Sequence, residues 1–125
     1  QRTFSKALYP GYWDVAAGGM VLATESYAES AARELAEELG ITDVALREHG
    51  RFYFEQPDNR LWCGVFSAVS DAPLRLQAEE VLQARFVPIE AALADAAVQL
   101  YCPDSLVALK RYLSESSVGV NRRMG

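Results

Sequence analysis

Three carboxylates on one short stretch carry whatever chemistry this chain performs. Glu34, Glu37 and Glu38 stand in the run Arg33-Glu34-Leu35-Ala36-Glu37-Glu38-Leu39-Gly40-Ile41. Ala28, Ala32, Leu35 and Leu39 recur at helical spacing, so they share one apolar helix face. At about 100° per residue, the three glutamates fall within an arc of roughly 100° on the other side. Like charges at such spacings repel by roughly some tenths of a kcal/mol per pair, and by more where solvent is excluded. A hard divalent cation reverses the sign of that interaction, because Mg²⁺ and Mn²⁺ prefer carboxylate oxygens. The plain alternative is a solvated glutamate-rich face, since Glu is a good helix former.

The surrounding spacing decides between them. Gly19 is followed by five residues and then Glu25; seven more lead to Arg33-Glu34, and Gly40-Ile41 close the segment. These nine specified positions over 23 residues resemble the Nudix box, Gx5Ex7REUxEExGU, where U is a bulky aliphatic. The chain therefore resembles a Nudix hydrolase domain. The resemblance implies an α/β fold, an α/β/α sandwich around a mixed sheet. It implies Mg²⁺ or Mn²⁺ as cofactor, held by Glu34, Glu37 and Glu38, with a backbone carbonyl from Gly18 or Gly19 and Gly18 the first candidate. The implied reaction is hydrolysis of a phosphoanhydride bond in a nucleoside diphosphate linked to another moiety, or in a similar organic diphosphate. Arg33, four residues before Glu37, is read as orienting a carboxylate through a charge-assisted bond. A late loop containing Glu79 and Glu80 resembles the family segment that delivers a further acid, with Glu80 ahead. The general base stays open among Glu34, Glu79 and Glu80.

Size and charge set the frame around this motif. The chain has 125 residues, half of them hydrophobic and 23% charged, as expected of one globular domain spanning 1–125. Its net charge is −5 and no basic stripe occurs, which disfavours a polymeric nucleic acid partner. An acidic chain acting on an anionic diphosphate needs a local cation, and that again favours a metal. No apolar run reaches the length of a membrane span, and no signal peptide is expected. Cys63 and Cys102 lie far apart, outside any metal-ligand spacing, so a reduced cytoplasmic setting is expected. His49, the lone histidine, is assigned no role. A small-molecule substrate is the expected partner, and a homodimer is left open.

The elements that position the motif follow from turn residues and alternation. Gln1-Arg2-Thr3 resembles the end of a strand that the Nudix fold places earlier, so N-terminal strands are expected to be missing. Pro10-Gly11 marks a turn, and Trp13 to Ala17 reads as a short strand leading into Gly18-Gly19. Trp13 is expected in the core and Lys6 as an exposed lysine. Met20 to Ala23 reads as a strand before the loop Thr24-Glu25-Ser26, in which Thr24 replaces a common family glycine. Glu25 is expected to cap the helix or to pair with Arg33. Residues 45–56 and 60–69 form an expected antiparallel hairpin around Pro57-Asp58-Asn59. Ala84 to Val87 resembles a late strand. Helices are expected over 89–97 and 104–113, the latter packing Leu106, Leu109, Tyr112 and Leu113 on the sheet, before a polar tail over 114–125.

Two other functions fit parts of the pattern. The lead-in Lys6…Pro10-Gly11…Trp13 also resembles the isopentenyl diphosphate isomerase branch of the same fold. That chemistry needs a cysteine near Ala17 or Gly18 followed closely by a histidine, and neither is present. The other is a non-catalytic Nudix-like module that binds a nucleotide or a protein, against which the intact carboxylates argue.

Overall fold

The computed structural model describes residues 1–118, with side chains described through residue 114. Helix α1 spans Tyr27–Leu39, strands β1 and β2 span Arg47–Gln56 and Asn59–Ser67, and helices α2 and α3 span Ile89–Ala96 and Pro103–Val118. The hairpin forms because aromatic and aliphatic residues fill both strands on either side of the turn at Pro57-Asp58. Its antiparallel register pairs Phe52 with Cys63 and Phe54 with Leu61, while Tyr53 lies opposite Trp62. An irregularity between Glu48 and Arg51 shifts the ladder, so that buried His49 joins the face of Phe52 and Phe54.

Each face of the hairpin receives a helix. Phe52, Phe54 and Val65 form the buried cluster, against which Leu61, Cys63, Ala108 and Tyr112 pack, so α3 covers that side. Of the α3 residues expected on the sheet, Tyr112 takes that place, whereas Leu109 lines a cavity instead. On the opposite face Tyr27 of α1 lies over Gly64, where a Cβ would approach the ring to 2.6 Å, and Arg51 stacks on the same ring at 4.0 Å. The result is the helix–sheet–helix layering expected of the α/β fold. Among the described residues the regular sheet is the antiparallel β1–β2 pair, and two isolated bridges stand outside it: Arg2 with Val81, antiparallel, and Trp13 with Tyr101, parallel.

Several boundaries differ from expectation. Met20 to Ala23 form no strand; Met20 and Leu22 are exposed, and the segment turns at Ala23-Thr24. Ala84 to Val87 likewise pair with nothing regular, and Phe86 is exposed. In both cases the apolar run has no neighbouring edge among the described residues to supply ladder hydrogen bonds. Helix α3 continues to Val118, past the point where the polar tail was expected to begin; the rest of that tail lies outside the described residues. No helix of the described residues is long and apolar enough to cross a membrane.

Candidate active site

Helix α1 is held at both ends by side chains the motif itself supplies. Ser26 is the N-cap: its hydroxyl accepts the Glu29 N–H at 3.1 Å while the Glu29 carboxylate accepts the Ser26 N–H at 2.8 Å, a closed capping box. Gly40 ends the helix in the left-handed region, at φ 70°, and its N–H returns to Ala36. The last carbonyls are then capped from outside, as Arg75 N–H donates to Leu39 at 2.8 Å and Gln77 N–H donates to Glu38 at 3.1 Å. This docking of 75–77 brings the following turn, with Glu79 and Glu80, against the C-terminal end of α1. Glu80 is half-buried and pairs with Lys6, whereas Glu79 is exposed.

Arg33 organises the acids beside it. Its guanidinium donates to Glu25 at 2.6 and 3.0 Å, to Glu34 at 2.7 Å, to Glu37 at 3.2 Å and to the Met20 carbonyl at 3.1 Å. The Glu25 carboxyl is held below the usual range by these Arg33 bonds, helped by the Leu22 N–H, and Arg33 itself is pushed further toward its charged form. Glu25 thus pairs with Arg33, and Ser26 does the capping. Glu34 is pressed against Gly19 so closely that a Cβ there would lie 2.5 Å from the carboxylate carbon. The missing side chain at Gly19 is therefore what gives Glu34 its place.

Glu38 differs from its neighbours. Its carboxylate accepts the Gly18 N–H at 3.2 Å, and among the described residues no cation pairs with it. Burial raises its pKa to about 7, the Gly18 bond opposes the rise, and the charges of Glu34, Asp14 and Glu80 add to it. Four carboxylates from three segments therefore influence one another: Glu34 and Glu38 of α1, Asp14 and Glu80, of which Glu34, Asp14 and Glu80 face Arg33, Arg2 and Lys6. Asp14 was not singled out by its sequence context. It is positioned by bonds that tie its strand-like segment to the start of α3: Trp13 N–H to Leu100 at 2.9 Å, Cys102 N–H to Trp13 at 2.8 Å and Val15 N–H to the Ser105 hydroxyl at 2.7 Å. Burial pushes the Asp14 carboxyl up, while Ser105 and Arg2 pull it down. Arg2 is anchored by the carbonyls of Leu8 and Tyr9 and lies 3.6 Å from Asp14.

These groups lie on the wall shared by two cavities. One, of about 370 Å³, is walled by Trp13, Leu39, Arg85 and Tyr101; the other, of about 820 Å³, opens between α1, β2 and the start of α3. Arg2, Lys6, Asp14, Glu38 and Glu80 border both. Lys6 and Trp13 both depart from expectation here. Lys6 is half-buried in an ion pair, and Trp13 lines a cavity under the Arg85 guanidinium instead of entering the core. Sequence order hides these relations, because Arg2 and Lys6 stand more than seventy residues from Glu80.

The match to known proteins agrees with this geometry. A family model described as the NUDIX domain matches residues 1–102. The chain belongs to the Nudix family. An uncharacterized Nudix hydrolase of Pseudomonas aeruginosa is 71% identical over 113 residues, covering 90% of this chain and 67% of its own length. The Escherichia coli uncharacterized Nudix hydrolase YfcD is 42% identical over 117 residues, covering 94% and 64% respectively. This Nudix domain thus spans about two thirds of the length of those relatives. Among solved structures, the crystal structure of DR0079 from Deinococcus radiodurans matches 90% of this chain and 72% of its own, with a TM-score of 0.74 at 27% identity.

The donor set can be weighed against a divalent ion on this geometry. Among the described residues, no three His, Cys, Asp or Glu side chains stand close enough together to hold an ion as they are. Arg33 draws Glu34 and Glu37 to one side and Lys6 draws Glu80 to another. The donors nevertheless fit a hard cation in kind: they are all carboxylate or carbonyl oxygens, and Glu38 sits in a surplus of negative charge.

Proposed function

We propose that this Nudix domain hydrolyses a phosphoanhydride bond in a nucleoside diphosphate linked to another moiety, or in a similar organic diphosphate, with Mg²⁺ or Mn²⁺ as cofactor. The observation that carries the reading is Glu38, which has no cation partner among the described residues, feels the charges of Asp14, Glu34 and Glu80, and borders the same cavities as Arg2 and Lys6. Glu34 and Glu38, with the Gly18 carbonyl and Glu37, would hold the ion. When bound, the ion neutralises diphosphate charge and lowers the pKa of water.

The residues of the chain supply the rest. Arg33 holds Glu34 and Glu37 in orientation through its ion pairs, acting as a positioning residue. Arg2 and Lys6 offer positive charge to the diphosphate in an otherwise acidic cleft. A proton released during attack needs an acceptor, and Glu80, released from Lys6 when that lysine turns to phosphate, is suited to it. The two free cysteines support a reducing cytoplasmic setting.

The test is Mg²⁺-dependent release of phosphate or nucleoside monophosphate from a panel of diphosphates. Glu38→Gln should lower turnover on the order of a hundredfold or more with an unchanged circular dichroism spectrum. Wild-type turnover in that variant would refute the assignment.

A further inference from the structure

Helix α2 leaves an apolar face without a covering element. Six of its eight residues are Ile, Leu or Ala, yet none is buried. Its half-buried apolar residues, Ile89, Ala92 and Ala96, stand at helical spacing, and the first two line the smaller cavity of about 370 Å³. Leu39 of α1, Leu109 of α3 and Val87 continue that apolar wall. The polar side chains at this end are engaged with one another. Asp95 accepts the Tyr101 hydroxyl at 2.7 Å, and the Arg85 guanidinium lies 3.9 Å from Asp95 and 5.1 Å above the Trp13 ring. Gln83 donates to the Gln1 side chain at 2.7 Å. Arg2, Lys6, Asp14, Glu38 and Glu80 border both cavities and so stand on the wall between them, whereas α2 lines only the smaller one. The smaller cavity is therefore charged at the end it shares with the proposed reaction site and apolar at the end toward α2.

We infer that the smaller cavity binds an aliphatic group joined to the diphosphate, with Ile89 and Ala92 of α2 as the residues that meet it. The inference deepens the hydrolase reading by naming the class of that group, and it rests on that reading for the diphosphate. An aliphatic chain on a phosphate answers both ends at once: its charge meets Arg2 and Lys6, and its carbons cover the open face of α2. A group rich in hydroxyls or amines does not suit the apolar end, because the polar side chains there are already paired and would leave it without partners. A space of this size admits a small molecule and not a protein segment.

Binding of simple monoesters separates this inference from the hydrolase reading, because it needs no turnover. The full chain, with Mg²⁺ present, is titrated by calorimetry with methyl, propyl and pentyl phosphate. Affinity should rise about threefold per added methylene, so that pentyl phosphate binds about thirtyfold or more tightly than methyl phosphate. Ala92→Phe fills the apolar end and should remove this gain while leaving methyl phosphate affinity unchanged. Location has a second readout in the chain's two tryptophans, of which Trp13 borders the smaller cavity and Trp62 the larger. In Trp62→Phe, where Trp13 is the remaining indole, pentyl phosphate should shift the emission and methyl phosphate should not. If affinity does not rise from methyl to pentyl phosphate, if the rise survives in folded Ala92→Phe, or if Trp13 emission does not respond to pentyl phosphate, the inference is overturned. The wild-type and Trp62→Phe arms answer the question even if Ala92→Phe does not fold. Diphosphate hydrolysis without a chain-length gain would overturn this inference alone, whereas a chain-length gain without hydrolysis of any diphosphate would overturn only the reaction.

Discussion

At the scale of single residues, the adjacent glycines of the motif have different tasks. A Cβ at Gly18 would meet nothing within 4 Å, but one at Gly19 would collide with the Glu34 carboxylate. Gly18→Ala should therefore retain near wild-type turnover, since its N–H and carbonyl remain. Gly19→Ala should displace Glu34 and lower kcat about a hundredfold while leaving the melting temperature close to wild type. Parallel loss in the two variants would show that steric access to Glu34 is not what Gly19 provides. The thiols make a second residue-scale case. Burial pushes Cys102 up to about 12 and Cys63 up to about 11, from an ordinary value of 9.0. Neither should react with iodoacetamide at pH 8 in the folded protein, and both should react in urea. The sign of the linkage follows. The unfolded thiol ionises near 9 and the folded Cys102 only near 12, so its stabilising effect is complete below pH 9 and is lost as pH rises toward 12. Urea titrations at pH 8 and pH 10 should show this loss in wild type and a smaller one in Cys102→Ala.

At the scale of elements, α1 is stable because its ends are closed and its acids are tethered. Ser26→Ala opens the capping box and should cost about 1 kcal/mol, lowering the melting temperature by about 4 °C. A scan showing no change would mean that packing of Tyr27 on Gly64 alone sets the helix start. This helix was legible in the sequence from its apolar period and the spacing of the motif, whereas its cap was not: Glu25 was offered for it and Ser26 fills it. The hairpin was legible from the aromatic and aliphatic residues that fill both strands on either side of Pro57-Asp58. Met20 to Ala23 and Ala84 to Val87 were misread as strands because an apolar run specifies burial or pairing without naming a partner. The acids on α1 could be placed from their spacing alone. Asp14 and Arg2 could not, since their positions depend on bonds between distant segments, such as those from Val15 to Ser105 and from Leu82 to Gln1.

At the scale of the whole molecule, a net charge of −5 and the negative neighbours of Glu38 make the folded state hold repulsion that a divalent ion would relieve. The sign can be worked out at Glu38. Its pKa rises from 4.5 in the unfolded chain to about 7 in the folded one, so the protonated folded state is favoured at low pH. That advantage is complete below 4.5 and is lost as pH passes 7. Above pH 7 without metal, Glu38→Gln should thus melt at or slightly above the wild-type temperature, because it removes an ionised group from an acidic neighbourhood. Added Mg²⁺ should invert that order. An ion at one hundred times its dissociation constant stabilises the folded state by about 2.7 kcal/mol, and only a protein that binds it gains. Wild type should melt several degrees higher with Mg²⁺ at pH 8, with the gain shrinking at pH 5 as protons compete for the same oxygens, and Glu38→Gln should gain little at either pH. Thermal scans of the two proteins with and without the ion, at both pH values, measure this crossing. Parallel shifts in wild type and variant would place the ion elsewhere on the acidic surface and detach the carboxylate cluster from metal binding.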